Sequence, residues 1–342
     1  MNIVHTHLCA GRALFIGQDG AIYISRNYEV YRSDDHGRSW QLDCYVPCRG
    51  AKSWAANLQL AARLLRFYVA AFQVLHDGTR LAVTRGGIYR AGVGESELRC
   101  TFPITRGSRP LNIAVDAHRV LFGEYGHIEA SQEVAIYVSE DGGKSFEAGY
   151  RFPAGSILHV HNVQLDPYTG DYWVLVGDYG EHPGIASLSR DFRHLEWLAR
   201  GGQYCRVVQM FVEPDCLIYG MDTDVEQNYI VRMDKKSGKV CRLQAVEGSS
   251  LYAASFGPVR VISTTVERNR VTPTRHCSLY SSRDGEDWQR GAIHTKDCYH
   301  LALFQFGTLV LPYSQHSEPW GIFSGQAIKR ANNQVSFVEF PD

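Results

Sequence analysis

Ser33-Asp34-Asp35-His36-Gly37-Arg38-Ser39-Trp40 and Ser139-Glu140-Asp141-Gly142-Gly143-Lys144-Ser145-Phe146 spell one pattern twice, Ser-x-Asp-x-Gly-x-Ser-aromatic. Ser282-Arg283-Asp284-Gly285-Glu286-Asp287-Trp288 repeats it one residue shorter, and Ser189-Arg190-Asp191, ending at Trp197, is a degraded copy. Each follows a short β-prone run such as Val30-Tyr31-Arg32 or Ala135-Ile136-Tyr137-Val138. The physics of the pattern is local. Asp and Ser oxygens can bond backbone N–H groups inside the turn, and Gly supplies backbone angles that other residues avoid. The closing aromatic is then left to pack between neighbouring sheets.

The gaps from Asp35 to Asp141, to Asp191 and to Asp284 are multiples of roughly 46–53 residues, the length of one four-stranded unit. The pattern resembles the Asp-box, or BNR, repeat of sialidases and many other propeller proteins. That resemblance implies an all-β fold, a single β-propeller domain over residues 1–342. At this pitch the chain holds about seven four-stranded blades. We place them at 11–43, 66–103, 111–152, 157–199, 204–245, 250–294 and 299 to the end. The closing strand comes from Ile3–His7 or from Val335–Phe340. Residues 53–64, Ser-Trp-Ala-Ala-Asn-Leu-Gln-Leu-Ala-Ala-Arg-Leu, carry apolar residues at helical spacing and predict a short helix inserted between the first two blades.

Composition narrows the function. With 44% hydrophobic residues, 32 glycines and a net charge of −1, the chain has a globular profile and no basic surplus to recruit nucleic acid. No run approaches the roughly 20 apolar residues that span a bilayer, so no membrane partner is expected. The opening residues lack a signal-peptide pattern. The nine cysteines contain no CxxC pair, which reads as small structural residues in a reducing compartment. The expected location is cytoplasmic.

In the fold that the resemblance implies, the box turns lie on one face and the site on the other, formed here by blades 3–6. The turns after each second strand are polar: Gly123-Glu124-Tyr125-Gly126-His127, Gly177-Asp178-Tyr179-Gly180-Glu181-His182, Gly220-Met221-Asp222 and Pro312-Tyr313-Ser314-Gln315-His316. The first two are near duplicates. The starts of the innermost strands add His159, His161, Arg206, Tyr252 and His300. His159 and His161 alternate in a strand, so their side chains point the same way. Residues gathered like this at equivalent rim positions suggest a pocket with convergent polar groups. Plain structural roles compete: carboxylates capping their own turns, histidines bonded within the core, Arg206 tying Asp178 or Asp222 across blades, and Tyr252 and Tyr313 as packing aromatics.

The three-arginine grip of a sialidase is not met; there is no Arg-Ile-Pro element, and only Arg85 and Arg206 sit at suggestive places. The residue types are more similar to those of propeller-shaped polysaccharide lyases, which cleave acidic polymers by β-elimination. In that reading His159 or His161 is the base, Tyr179 or Tyr252 the acid, and Arg206 neutralises the substrate carboxylate. Glu124 and Asp178 instead form the carboxylate pair of a hydrolase. Tyr125, His127, His182, Asp222, Tyr252, His300, Tyr313 and His316 are the candidate substrate-binding residues. No cofactor is required, although two histidines with Asp178 or Glu124 suit a divalent metal. The expected partner is an oligo- or polysaccharide. The competing class is a non-catalytic propeller that binds a glycan or a protein.

Overall fold

The computed structural model describes residues 4–48 and 63–340. Short β-prone runs punctuated by Gly-, Asp- and Ser-containing turns become antiparallel meanders. β1 (Val4–Ala10) precedes the first of them, which consists of β2 (Arg12–Ile16), β3 (Ile22–Arg26), β4 (Glu29–Ser33) and β5 (Gln41–Tyr45). Next come β6 (Ala71–Val74), β7 (Arg80–Thr84), β8 (Gly87–Ala91) and β9 (Arg99–Pro103). A third meander is β10 (Ala114–Asp116), β11 (Arg119–Gly123), β12 (Val134–Ser139) and β13 (Glu147–Phe152). The fourth contains β14 (His159–Leu165), β15 (Tyr172–Gly177), β16 (Gly184–Leu188) and β17 (Leu195–Arg200). After a 3-10 turn at Gln203–Cys205 follow β18 (Met210–Val212), β19 (Cys216–Gly220), β20 (Asn228–Asp234) and β21 (Val240–Val246). The last strands are β22 (Ser249–Phe256), β23 (Val259–Val266), β24 (His276–Ser282), β25 (Gln289–Thr295), β26 (Gly307–Val310), β27 (Tyr313–Ser314), β28 (Trp320–Gln326) and β29 (Gln334–Glu339). A short helix, α1 (Leu301–Phe304), lies between β25 and β26.

Four sheets have four strands each, β27 extends the first meander to five, and the remaining strands form one eight-stranded sheet. The expected seven separate blades are therefore corrected to five blade sheets and one larger sheet. The cause is the length of β23. Its last residues run past its own meander and pair with the next, Thr265 with Thr308 and Val266 with Gly307. Buried hydroxyls reinforce that seam: Thr265 Oγ1 donates to Thr308 Oγ1 at 3.0 Å, and Ser263 Oγ to the Leu309 carbonyl at 2.5 Å. Both termini contribute to one edge, because β1 pairs antiparallel with β29 along Val4–Glu339 to Ala10–Gln334. The helix expected over 53–64 lies outside the described residues except for its last two, and residues 63–65 are helical.

The chain divides into two compact units. One comprises Met1–Val69, Asp222–Ile230 and Arg242–Asp342; the other comprises Ala70–Met221 and Val231–Cys241. The first buries Ile22, Ile24, Val261, Leu279, Ile322 and Val335 in one apolar cluster. The second has a cluster around Leu121, Ile136, Val160 and Val174, and another around Leu81, Val83, Ile88 and Phe122.

The repeated pattern forms the turns that its chemistry suggested, each between the third and fourth strands of a meander. Ser33 Oγ donates to Asp35 Oδ1 at 2.8 Å and accepts from Gly37 N at 2.8 Å, while Asp35 accepts from Ser39 N and Oγ. Ser139, Asp141, Gly143 and Ser145 repeat those bonds at 2.7–3.0 Å. The shorter copy keeps Ser282 Oγ to Asp284 at 2.9 Å and Gly285 N to Ser282 at 2.9 Å. Even the degraded copy retains Ser189 Oγ to Asp191 at 2.6 Å. The hydroxyls of Ser39 and Ser145 and nearby backbone N–H groups favour the charged carboxylates. Asp35 is held down to about 2, and Asp141 lower still although burial opposes it. The closing Phe146 packs edge-on against Phe102 and Phe122 at 5.7 and 5.4 Å.

Candidate functional site

The site is built where β14 and β15 meet, inside the unit Ala70–Met221. Every residue of β15 is buried, and the chain leaves it at Gly177, directly opposite His159. Glycine is needed there for space: a Cβ on Gly177 would stand 2.3 Å from His161 Cε1 and 2.5 Å from its Nε2. Gly123 ends β11 in the same way, with Val160 Cβ 2.3 Å from where its own Cβ would be. Asp178, the next residue after Gly177, turns its carboxylate back over β14.

Two buried imidazoles converge on that carboxylate, as their alternation in the strand suggested. His161 Nε2 is 2.8 Å from Asp178 Oδ1, and His159 Nε2 is 3.5 Å from Oδ2. The rings lie 5.0 Å apart at 34°. The Arg206 guanidinium reaches Oδ1 at 3.4 Å and lies 4.9 Å from the centre of the Tyr179 ring. Tyr125 meets His159 edge-on at 4.7 Å. His159, His161 and Arg206 are buried, whereas the Asp178 side chain is 25% exposed and Tyr179 is 49% exposed. The cluster thus opens to solvent through Asp178 and Tyr179. Burial works against the charge on Asp178, but the two histidines that face it outweigh burial and hold the carboxyl well below the usual range.

The outer nitrogens decide what the inner ones can do. His161 Nδ1–H donates to the Val207 carbonyl at 2.9 Å, and His159 Nδ1 lies 3.2 Å from the Gly126 carbonyl. A carbonyl only accepts, so both Nδ1 atoms carry hydrogens and both Nε2 atoms face the carboxylate. An imidazole lone pair against a carboxylate is repulsive. At 2.8 Å from Oδ1, His161 Nε2 must share a proton or a cation with Asp178, whereas His159 Nε2, at 3.5 Å from Oδ2, makes no hydrogen bond to it. His159, His161 and Asp178 bring three ligand atoms within 4.8 Å of one another, and pinned Nδ1–H groups are the usual support of metal-bound histidines. The donor set fits a divalent ion, and Arg206 opposes one electrostatically.

Glu124 has a different fate from Asp178 despite its near-identical turn. Arg106 clamps both of its carboxylate oxygens, Ala135 N donates to Oε2 at 2.8 Å, and the Tyr137 hydroxyl reaches Oε1 at 3.4 Å. Arg106, from the loop between β9 and β10, thus fixes Glu124 in a structural role. His127 is exposed, and His182 is half-buried with its Nδ1 lacking a hydrogen-bond partner. The other five candidates belong to the other unit. There Asp222 is buried, the Tyr252 hydroxyl accepts from Arg12 at 2.9 Å, and His300 is exposed, 3.4 Å from Arg268. Tyr313 stacks on Phe15 at 6.0 Å. His316 donates Nε2–H to the Trp320 carbonyl at 2.7 Å and accepts from Ser314, a buried structural role in which burial pushes its pKa down.

Sequence reasoning gave no role to Asn162 and overlooked Gln164. Asn162 donates to the Val208 carbonyl at 2.9 Å, and Gln164 both donates to the Met210 carbonyl and accepts from its N–H. With His161 they tie β14 to residues 207–210 through side chains where a strand would use backbone. The signal was present: a run of polar residues on an otherwise apolar inner strand. Arg106 was also overlooked, because nothing in its local sequence marks Glu124 as its partner.

No family model matches the chain, and no curated protein matches it either. Among solved structures, the chain resembles YCF48 bound to a D1 peptide, at 13% identity and TM-score 0.59, covering 100% of this chain and 96% of that one. It resembles the WD40 β-propeller domain of Doa1 at 13% identity and TM-score 0.56, covering 99% and 96%. It also resembles the GH74 enzyme of Niastella koreensis at 11% identity and TM-score 0.55, covering 85% of this chain and 47% of that one. These likenesses show the fold alone, an all-β propeller.

Proposed function

We propose that this chain is a propeller of the Asp-box type that acts on an acidic glycan and cleaves it by β-elimination. One observation carries the reading. Two buried imidazoles with fixed Nδ1–H groups aim their Nε2 atoms at one partly open carboxylate, beside an arginine stacked under an exposed tyrosine. Burying so much titratable chemistry costs stability that an apolar packing would not, and such clusters concentrate at functional sites.

The roles follow from freedom of the atoms. His161 spends both nitrogens on Val207 and Asp178, so it positions the carboxylate. His159 Nε2 has no hydrogen-bond partner and is the base. It takes the proton on the carbon beside the substrate carboxylate, and the freed electron pair becomes a carbon–carbon double bond. The bond to the next sugar's oxygen breaks, and that oxygen takes the Tyr179 phenol proton. Arg206 offsets the charge that builds on the substrate carboxylate. Hydrolysis by a carboxylate pair is less favoured, because Arg106 already occupies Glu124. Nine free thiols suit a reducing, cytoplasmic setting.

That both Nε2 atoms face one carboxylate favours a second reading, in which a divalent ion held by His159, His161 and Asp178 assists. The test of both is a screen of purified protein on uronic-acid oligosaccharides, following ultraviolet absorbance of unsaturated products and new reducing ends. It is run after chelation and after adding manganese or zinc. Unsaturated products support elimination, and their dependence on added metal supports the second reading. Reducing ends alone overturn elimination in favour of hydrolysis. Silence on every substrate favours a non-catalytic propeller that binds a glycan or a protein.

A further inference from the structure

In the unit formed by Met1–Val69, Asp222–Ile230 and Arg242–Asp342, a cavity of about 270 Å³ has no carboxylate among its described lining residues. Arg12 dominates it. The residue is 7% exposed, and its Nη1 and Nη2 donate only to neutral oxygens, Gln326 Oε1 at 2.7 Å and Tyr252 Oη at 2.9 Å. The guanidinium lies 5.0 Å from the centre of the Tyr68 ring. Its buried Nε has no hydrogen-bond partner, and neither has the buried hydroxyl of Ser25, which also lines the cavity. No described carboxylate forms an ion pair with Arg12. A buried guanidinium without a counter-ion is costly, so such a group is kept where an anion arrives from outside.

The surrounding charge points the same way. Arg26 lines the cavity, with its Nε donating to the Ala10 carbonyl at 3.1 Å. Arg63, a third lining arginine, pairs with Asp297 at 2.8 Å, but Lys296 shares that carboxylate. Among the described lining residues three are arginines and none is a carboxylate. Much of the rest of the polar wall is made of amides, Asn27, Gln305, Gln326, Asn332 and Asn333. Amides present both donors and acceptors at fixed spacing, which suits hydroxyl groups. The volume lies at the lower edge of small-molecule sites, roughly 300–1,000 Å³, and suits one small ring rather than a polymer.

We propose that this cavity binds a small anionic, polyhydroxylated molecule, its carboxylate or phosphate on Arg12 and its hydroxyls on the amide wall. This site is independent of the His159 cluster and stands or falls without it. The test is calorimetric titration of the full chain with glucuronate, glucose 6-phosphate and glucose. At least one of the two anions is expected to bind at least tenfold more tightly than glucose, and the tighter anion identifies carboxylate or phosphate as the source. Arg12→Gln and Arg26→Gln are each expected to weaken the anion at least tenfold. Arg26 is only partly buried, so its variant keeps the test alive if Arg12→Gln fails to fold. Equal binding of glucose, no binding of either anion, or anion binding unchanged in a folded variant overturns the proposal.

Discussion

At the residue scale, the decisive contrast is between two acids in near-duplicate turns. Glu124 and Asp178 both follow a strand-ending glycine and precede Tyr-Gly. Arg106 takes the first into a clamp, and His159, His161 and Arg206 take the second into a half-open cluster. The turns were legible in the sequence; which acid would be clamped was not, because Arg106 comes from a loop without a motif. Asp178 is the residue whose loss should be felt most. Asp178→Asn removes the negative charge facing Arg206 and both imidazoles, and breaking a buried pair costs roughly 3–5 kcal/mol. With a quarter of the side chain exposed we expect about 2–4 kcal/mol, measured by urea unfolding near neutral pH. The pH trend has a fixed sign. Since the folded carboxyl sits below its ordinary value of 3.8, its contribution is full above that value and is lost progressively as pH falls below it. The gap between wild type and Asp178→Asn should therefore narrow in that acid range. A gap constant with pH would show that charge is not what the residue contributes.

At the element scale, the strands and their Ser-Asp-Gly turns were readable because their chemistry is local. Ser, Asp and Gly bond within eight residues, so the pattern and its structure coincide. The eight-stranded sheet was not readable, because the Thr265–Thr308 pairing depends on how far β23 runs before the chain turns. Strand packing also explains the repeated glycine of the polar turns. Gly177 leaves room for the His161 ring, and any side chain there must push that ring or β15 aside. Overpacking of this kind costs about 1–3 kcal/mol. Gly177→Ala is expected to destabilise by that amount and to displace His161 from Asp178. A crystal structure of the variant with the 2.8 Å contact intact would contradict the packing argument.

At the scale of the whole molecule, the resemblance carried by the repeated turn implied the fold class, and the first and last strands turned out to share one sheet edge. β1 covers β29, so residues from opposite ends of the sequence form one ladder. Deleting residues 1–10 would leave the outer edge of β29 unpaired, a template for association with other chains. We expect the truncated protein to melt at lower temperature and to aggregate in light scattering at concentrations where the full chain stays monodisperse. Unchanged melting and scattering would mean that the ladder contributes little. No helix among the described residues is long and apolar enough to cross a membrane. The likeness to peptide-bound, WD40 and glycoside hydrolase propellers leaves function to the side chains, where folds of this kind carry it.

The central claim is that His159 is a reacting group and not a packing residue. The most direct measurement is a paired one on His159→Ala and His159→Gln: elimination rate on a uronic-acid oligosaccharide, and unfolding free energy under the same conditions. Loss of a general base is expected to slow turnover by about 10²–10⁴-fold, with at least one variant still folded at the assay temperature. A folded variant that turns over substrate at the wild-type rate would contradict the claim.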